Sequence, residues 1–216
     1  MKTFQIKQVA TGLALAALVG MIAGCASKGN DKGAATSAAL QSTADKTTQV
    51  SQQVTASLGA LNQLTFNPQG DLRDQYGKFT DAVKGLQSAS SGLDSQVASM
   101  QSKAQAYFNS WSNQLDSIQS PTLRSISESR KAEVSAKLDS LNTNYQGVKS
   151  SLGSFTGDLT DIKTYLDTDL TAAGVAKIKD VVAKTKVDAV PVRDSISKLQ
   201  SDFSSVSAAL SPVVSK

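Results

Sequence analysis

The sequence contains no histidine, and Cys25 is its only cysteine among 216 residues. A lone cysteine excludes a disulfide or a thiolate metal cage within one chain. Without histidine, the abundant serines lack the base that most often activates a hydroxyl nucleophile. We therefore expect a protein that is not an enzyme and that has no cofactor and no metal site.

Long hydrophobic runs are also scarce, and the main one lies at the amino terminus. Residues 1–24 read as a secretory signal, because Lys2 and Lys7 precede an apolar run over residues 12–23 that is short for a membrane span. Removal of these two lysines lowers the formal net charge from +4 to +2. So balanced a charge does not favour nucleic acid as a partner.

The signal segment ends in Ile22-Ala23-Gly24-Cys25, which resembles the lipobox of bacterial lipoproteins. The resemblance implies cleavage before Cys25 and acylation of that cysteine, and several acyl chains together anchor a protein firmly. Ala26 follows instead of aspartate, which by resemblance to the enterobacterial sorting rule favours the outer membrane. The alternative is an ordinary signal peptide with a chance cysteine. We expect a lipid-anchored protein of the outer membrane that faces mostly the periplasm.

Apolar residues recur in unbroken steps of four and three through the rest of the chain, which is the heptad pattern of packed helices. The pattern predicts helices over residues 71–119, 121–168 and 171–211, preceded by a weaker one over residues 36–64. Residues 25–35, with the lipidated cysteine, are small, polar and glycine-containing, so we expect a flexible tether there. The seam of the second predicted helix comprises Leu72, Tyr76, Phe79, Val83, Leu86, Ser90, Leu93, Val97, Met100, Ala104, Tyr107 and Trp111.

These elements predict an all-α fold, an elongated antiparallel three- to four-helix bundle with coiled-coil-like heptad packing. Asp71, Ser120 and Thr171 are the expected N-caps, and Pro121 suits the first helical position. Pro191 lies inside the last predicted helix, where we expect a kink. The first helix is too short to cover the whole bundle, so the end that holds Tyr107 should be three-stranded.

Tyr107, Phe108 and Trp111 form the only concentration of aromatic residues. One interpretation is a groove for a peptide or an apolar ligand at the end that lacks the first helix. The other is that Tyr107 and Trp111 are ordinary seam residues with Phe108 packed beside them.

The run Trp111…Leu115, Ser120-Pro121-Thr122-Leu123-Arg124, Ser127, Glu128 and Arg130 resembles a Gram-negative lipoprotein family known as domain of unknown function 2959. Two further stretches fit the same layout: Leu61…Phe66…Leu72…Tyr76, and Leu152…Phe155…Asp161…Leu166…Leu170. This resemblance supports the helical architecture and implies neither an activity nor a catalytic residue.

Two function hypotheses remain open at this point. The first is a non-enzymatic, lipid-anchored lipoprotein of the cell envelope that acts as a helical scaffold or as a rod that binds an envelope protein. The second is a periplasmic module that binds an apolar ligand or peptide near Tyr107 and Trp111. The membrane is the expected partner in the first hypothesis, and the sequence leaves the oligomeric state open.

Overall fold

The computed structural model describes residues 28–210, which form helices and no strand. The five helices are α1 (Lys28–Phe66), α2 (Leu72–Leu115), α3 (Pro121–Thr168), α4 (Ala172–Lys177) and α5 (Lys179–Leu210). The all-α prediction is confirmed. The 48 residues of α3 span about 72 Å at the α-helical rise of ~1.5 Å per residue. Within the described residues, no helix is both long enough and apolar enough to cross a membrane.

The four long helices pack side by side as an antiparallel bundle. Each packs against two others in the order α1, α2, α3, α5, and α5 closes back onto α1. Thr36 on α1 contacts the Lys103 carbonyl on α2, and Arg130 on α3 reaches the Ala209 carbonyl on α5. Helices α1 and α2 approach each other closely along their length, whereas α2 and α3 come together least.

The heptad positions form the core, as the sequence predicts. Phe79, Phe155 and Phe203 are the largest side chains that are almost completely buried. Fully buried seam positions continue along all four long helices, and they include Leu40, Leu61, Leu64, Leu86, Leu93, Met100, Leu141, Leu159, Leu166, Val182, Ile196 and Leu199. Burial of such side chains is the main source of bundle stability, because the helix surfaces are rich in residues of modest helix propensity.

Small hydroxyl residues allow α1 to lie close to α2. Thr43 and Thr47 are completely buried, and their hydroxyls donate to backbone carbonyls one turn earlier at 2.7 and 2.9 Å. Ser57 donates across the interface to the Ala82 carbonyl at 3.1 Å. These hydrogen bonds remove the cost of burying the hydroxyls, so a seam with few large apolar residues still packs.

The expected caps are present at three helix starts. Asp71 accepts from the Arg73 backbone N–H, Ser120 from that of Leu123, and Thr171 from that of Gly174. Each cap satisfies a donor that the first helical turn leaves without a partner.

The prediction of a flexible tether is wrong for residues 28–35, because α1 begins at Lys28. These residues are helical because they pack against α2: a Cβ built on Gly33 would lie only 3.3 Å from Cε2 of Tyr107. The prediction that α1 stops short of Tyr107 is wrong for the same reason. The described part of α5 reaches Leu210, beside Arg130.

The expected single helix over residues 171–211 is interrupted, and the break lies at Ile178. This residue has φ −93° and ψ 4° and separates α4 from α5, while α5 runs continuously through Pro191. The break keeps both Val175 and Ile178 buried while the chain turns from α3 into α5. At the turn between α2 and α3, α2 ends at Leu115 rather than at residue 119.

Candidate functional site

A groove of about 350 Å³ lies between α2 and α3. It forms because these two neighbours approach each other least. Its lining residues are Gln87, Ser90, Ser91, Leu93 and Asp94 on α2, and Tyr145, Val148, Lys149, Leu152, Gly153, Thr156, Gly157 and Thr160 on α3.

The floor of the groove is apolar and its α3 wall is built from small residues. Leu93, Val148 and Leu152 are buried core residues that also line the groove. A Cβ built on Gly153 or Gly157 would meet no atom within 4 Å, so the α3 backbone is open to close approach. An apolar floor with a few polar groups is the usual composition of a binding cleft.

One polar cluster stands at the end of the groove. The Tyr145 hydroxyl donates to Asp94 Oδ1, and Lys149 Nζ lies 3.3 Å from Asp94 Oδ2. Burial, followed by the hydrogen bond to Asp94, raises the pKa of Tyr145 well above its ordinary value. Tyr145 is therefore a neutral hydrogen-bond donor at physiological pH, and the cluster fixes the spacing of α2 and α3 at this level.

Ser90 is the polar residue at a seam position of α2, and it lines the groove. Its Oγ is buried and makes no hydrogen bond to the protein. Thr185, the corresponding polar seam residue of α5, donates to the Val181 carbonyl at 3.0 Å. Ser90 therefore places a buried hydroxyl without a protein partner at the groove.

The three aromatic residues predicted as a ligand surface do come together on α2. The Tyr107 and Trp111 ring centroids lie 5.4 Å apart, and the Phe108 and Trp111 rings are stacked with centroids 6.3 Å apart. All three are half-buried, and Trp111 Nε1 donates to Ser127 Oγ on α3 at 2.8 Å. Burial raises the pKa of Tyr107. Because α1 covers Tyr107 at Gly33, the cluster is a packed contact between helices more than an open groove.

The other site prediction falls outside the described residues. Ile22, Ala23, Gly24 and Cys25 all precede Lys28, so acylation of Cys25 stays a prediction.

The sequence does not predict the α2–α3 groove. The one feature of the sequence that could have indicated it is Ser90, a polar residue in an apolar seam. Between residues 28 and 210, no three Asp, Glu, His or Cys side chains come close enough to hold a metal ion.

The fold and the groove define an elongated, all-α helical-bundle protein. The chain belongs to the family described as "Protein of unknown function (DUF2959)", whose model matches residues 25–211. No curated protein matches the chain, and no solved structure matches it either.

Proposed function

We propose that the protein is a lipid-anchored lipoprotein of the Gram-negative cell envelope whose bundle serves as a non-enzymatic scaffold or partner-binding rod. The anchor rests on the lipobox-like Ile22-Ala23-Gly24-Cys25. The family match begins at residue 25, the residue that cleavage at this motif would make the first of the mature chain. Ala26 favours the outer membrane, with the bundle in the periplasm.

The observation that supports a partner-binding role is the α2–α3 groove. It combines an apolar floor, glycines that leave the α3 backbone open, and the unpaired Ser90 hydroxyl. These features suit an extended or helical segment of an envelope protein, because small residues allow close backbone approach and a buried hydroxyl rewards a matching polar group.

Metabolic labelling with a fatty-acid analogue tests the anchor. Wild-type protein should incorporate the label and fractionate with membranes, whereas Cys25→Ala should do neither, because it lacks the acylated sulfur. Equal labelling of the two proteins, or no labelling of either, would contradict the anchor.

Site-specific photocrosslinking in intact cells tests the groove. A photoreactive amino acid at Gly153, on the open wall of the groove, should capture a defined envelope protein. The same amino acid at Gly59 is the matched control, since Gly59 is an exposed helical glycine of α1 with no atom within 4 Å of a built Cβ. The same crosslinked band from both positions, or none from Gly153, would count against the groove.

A second candidate function is a module that binds an apolar ligand at Tyr107, Phe108 and Trp111. The half-exposed state of all three rings favours it. Because Trp111 is the only tryptophan, its fluorescence reports on this site directly. Titration with a lipid extract should shift the emission if a ligand binds there, and an unchanged spectrum would remove this candidate.

A further inference from the structure

The start of α1 and the α2–α3 turn lie at the same end of the bundle. Gly33 lies against Tyr107, and the Thr36 hydroxyl lies 3.3 Å from the Lys103 carbonyl, which fixes the antiparallel register of α1 and α2. Continuing this register to Lys28 brings the start of α1 level with Ser112, close to the end of α2.

Two large apolar side chains are exposed at this same end. Leu123 and Ile126, in the first turns of α3, are 59% and 61% exposed. They lie on the same face of α3 as Arg130, which follows Leu123 by seven residues and Ile126 by four. Arg130 Nη2 donates to the Ala209 carbonyl at 2.6 Å, so this face packs against α5 as far as Leu210. Among the described residues, none covers Leu123 and Ile126.

The early start of α1 leaves little chain between the anchor and the bundle. Only residues 26 and 27 separate the acylated cysteine from Lys28, and an extended chain spans at most ~3.6 Å for each step from one residue to the next. The Cys25 backbone therefore lies within about 11 Å of the first turn of α1. A flexible tether over residues 25–35 would have allowed several times this distance.

We propose that Leu123 and Ile126 insert into the surface of the lipid bilayer to which Cys25 is anchored. The proposal rests on the lipid anchor of the proposed function. A link of two residues holds this end of the bundle against the membrane, where two exposed apolar side chains can leave water for the interfacial region. The neighbouring charges are mixed, with Glu128 between Arg124 and Arg130, so the contact is apolar and depends little on salt.

The chain provides an internal control for this contact. Val187 and Val190 are 67% and 49% exposed and are also spaced three residues apart on one helix face. Lys186 Nζ contacts Asn62 Oδ1 at 2.8 Å, which places these valines near the opposite end of α1. A short anchor at Cys25 keeps them away from the bilayer.

The test couples the mature chain to vesicles through its only cysteine. A maleimide lipid attached at Cys25 replaces biological acylation, so the result does not depend on processing in cells. Trp111→Phe removes the native tryptophan, and Ile126→Trp or Val187→Trp then introduces one reporter. Lipids with brominated acyl chains should quench the Ile126→Trp reporter several-fold more than the Val187→Trp reporter. Adding Leu123→Ser should weaken that quenching.

Circular dichroism verifies that each reporter protein is folded. If Trp111→Phe unfolds the bundle, native Trp111 becomes the reporter: Leu123→Ser with Ile126→Ser should lower its quenching, and Val187→Ser with Val190→Ser should not. Equal quenching at the two positions would overturn the proposal. An unquenched Ile126→Trp reporter whose emission shifts to the red when residues 211–216 are deleted would also overturn it, because the carboxyl-terminal segment would then cover the pair.

Failure of the proposed function gives a different result. If the coupled protein shows the expected quenching but Cys25 is not acylated in cells, the bilayer contact is supported and the lipoprotein assignment is refuted. If Cys25 is acylated and the two reporters behave alike, the anchor stands and the contact is refuted.

Discussion

Buried hydroxyl groups occur throughout the seams, and what each contributes depends on its hydrogen bond. Thr43, Thr47 and Thr185 return their hydrogen bonds to carbonyls of their own helices, and Ser57 donates to the neighbouring helix. Ser90 has no such partner. The same residue types therefore stabilise the bundle at one position and weaken it at another.

Substitution of Ser90 and Ser57 by alanine should have opposite effects. Ser90→Ala removes an unpaired buried hydroxyl, so the free energy of unfolding should rise by roughly 0.5–1 kcal/mol. Ser57→Ala loses the hydrogen bond to the Ala82 carbonyl, so the free energy of unfolding should fall by about 1 kcal/mol. Urea unfolding measures both, and a loss of stability in Ser90→Ala would contradict the assignment of Ser90 as unpaired.

Tyr145 should make the bundle sensitive to alkaline pH. Burial raises the pKa of Tyr145 in the folded protein, while an unfolded tyrosine has a pKa of about 10. The folded state therefore favours the neutral phenol, and this stabilisation is complete below about pH 10 and is lost as the pH rises further.

In Tyr145→Phe this titration is absent, so the free energy of unfolding should fall less steeply than in wild type above about pH 10. Near neutral pH the variant should be about 1 kcal/mol less stable, because the hydrogen bond to Asp94 is lost. Urea unfolding over a pH series measures both effects. Parallel pH profiles for the two proteins would contradict the raised pKa.

At the scale of the helices, two glycines show how local packing decides the effect of one methyl group. A Cβ on Gly174, at the start of α4, would clash with the Asp169 carbonyl oxygen, whereas a Cβ on Gly59, at an exposed position in the last turns of α1, would meet nothing within 4 Å. The α3–α4 turn depends on glycine, and the exposed position in α1 does not.

The substitution Gly174→Ala should destabilise the protein by roughly 1–3 kcal/mol, because the turn must shift to admit the methyl group. The matched substitution Gly59→Ala should stabilise it by about 0.5–1 kcal/mol, because alanine is the better helix former at an open position. Thermal unfolding compares the two. Equal shifts in Tm would show that the turn has room for a side chain.

Much of each helix follows from the sequence, because the heptad pattern fixes which face is buried and side chains such as Asp71, Ser120 and Thr171 cap the helix starts. The start of α1 does not follow, because residues 28–35 have the composition of a linker and become helical through the packing of Gly33 against Tyr107. The break at Ile178 depends on how the chain re-enters the core after α3. The groove depends on the separation of α2 and α3, which a one-dimensional pattern does not record.

On the scale of the whole molecule, the long helices give an elongated particle. A globular chain of residues 26–216 would have a radius of gyration of about 16 Å. A bundle built around a helix of 48 residues should exceed this clearly and show a maximum dimension of at least about 70 Å.

Small-angle X-ray scattering on the chain that begins at residue 26 measures both quantities, and sedimentation velocity shows whether the particle is one chain. A monomer with a radius of gyration near the globular value would contradict the extended bundle.

The unequal spacing of the helices divides the molecule into two hairpins, α1 with α2 and α3 with α5. On one side the hairpins share the extensive contact between α1 and α5, and on the other they meet at the thin contact between α2 and α3. Tension that pulls the two hairpins apart would therefore separate α2 from α3 first. The groove at Ser90 would widen while the contact between α1 and α5 stays intact.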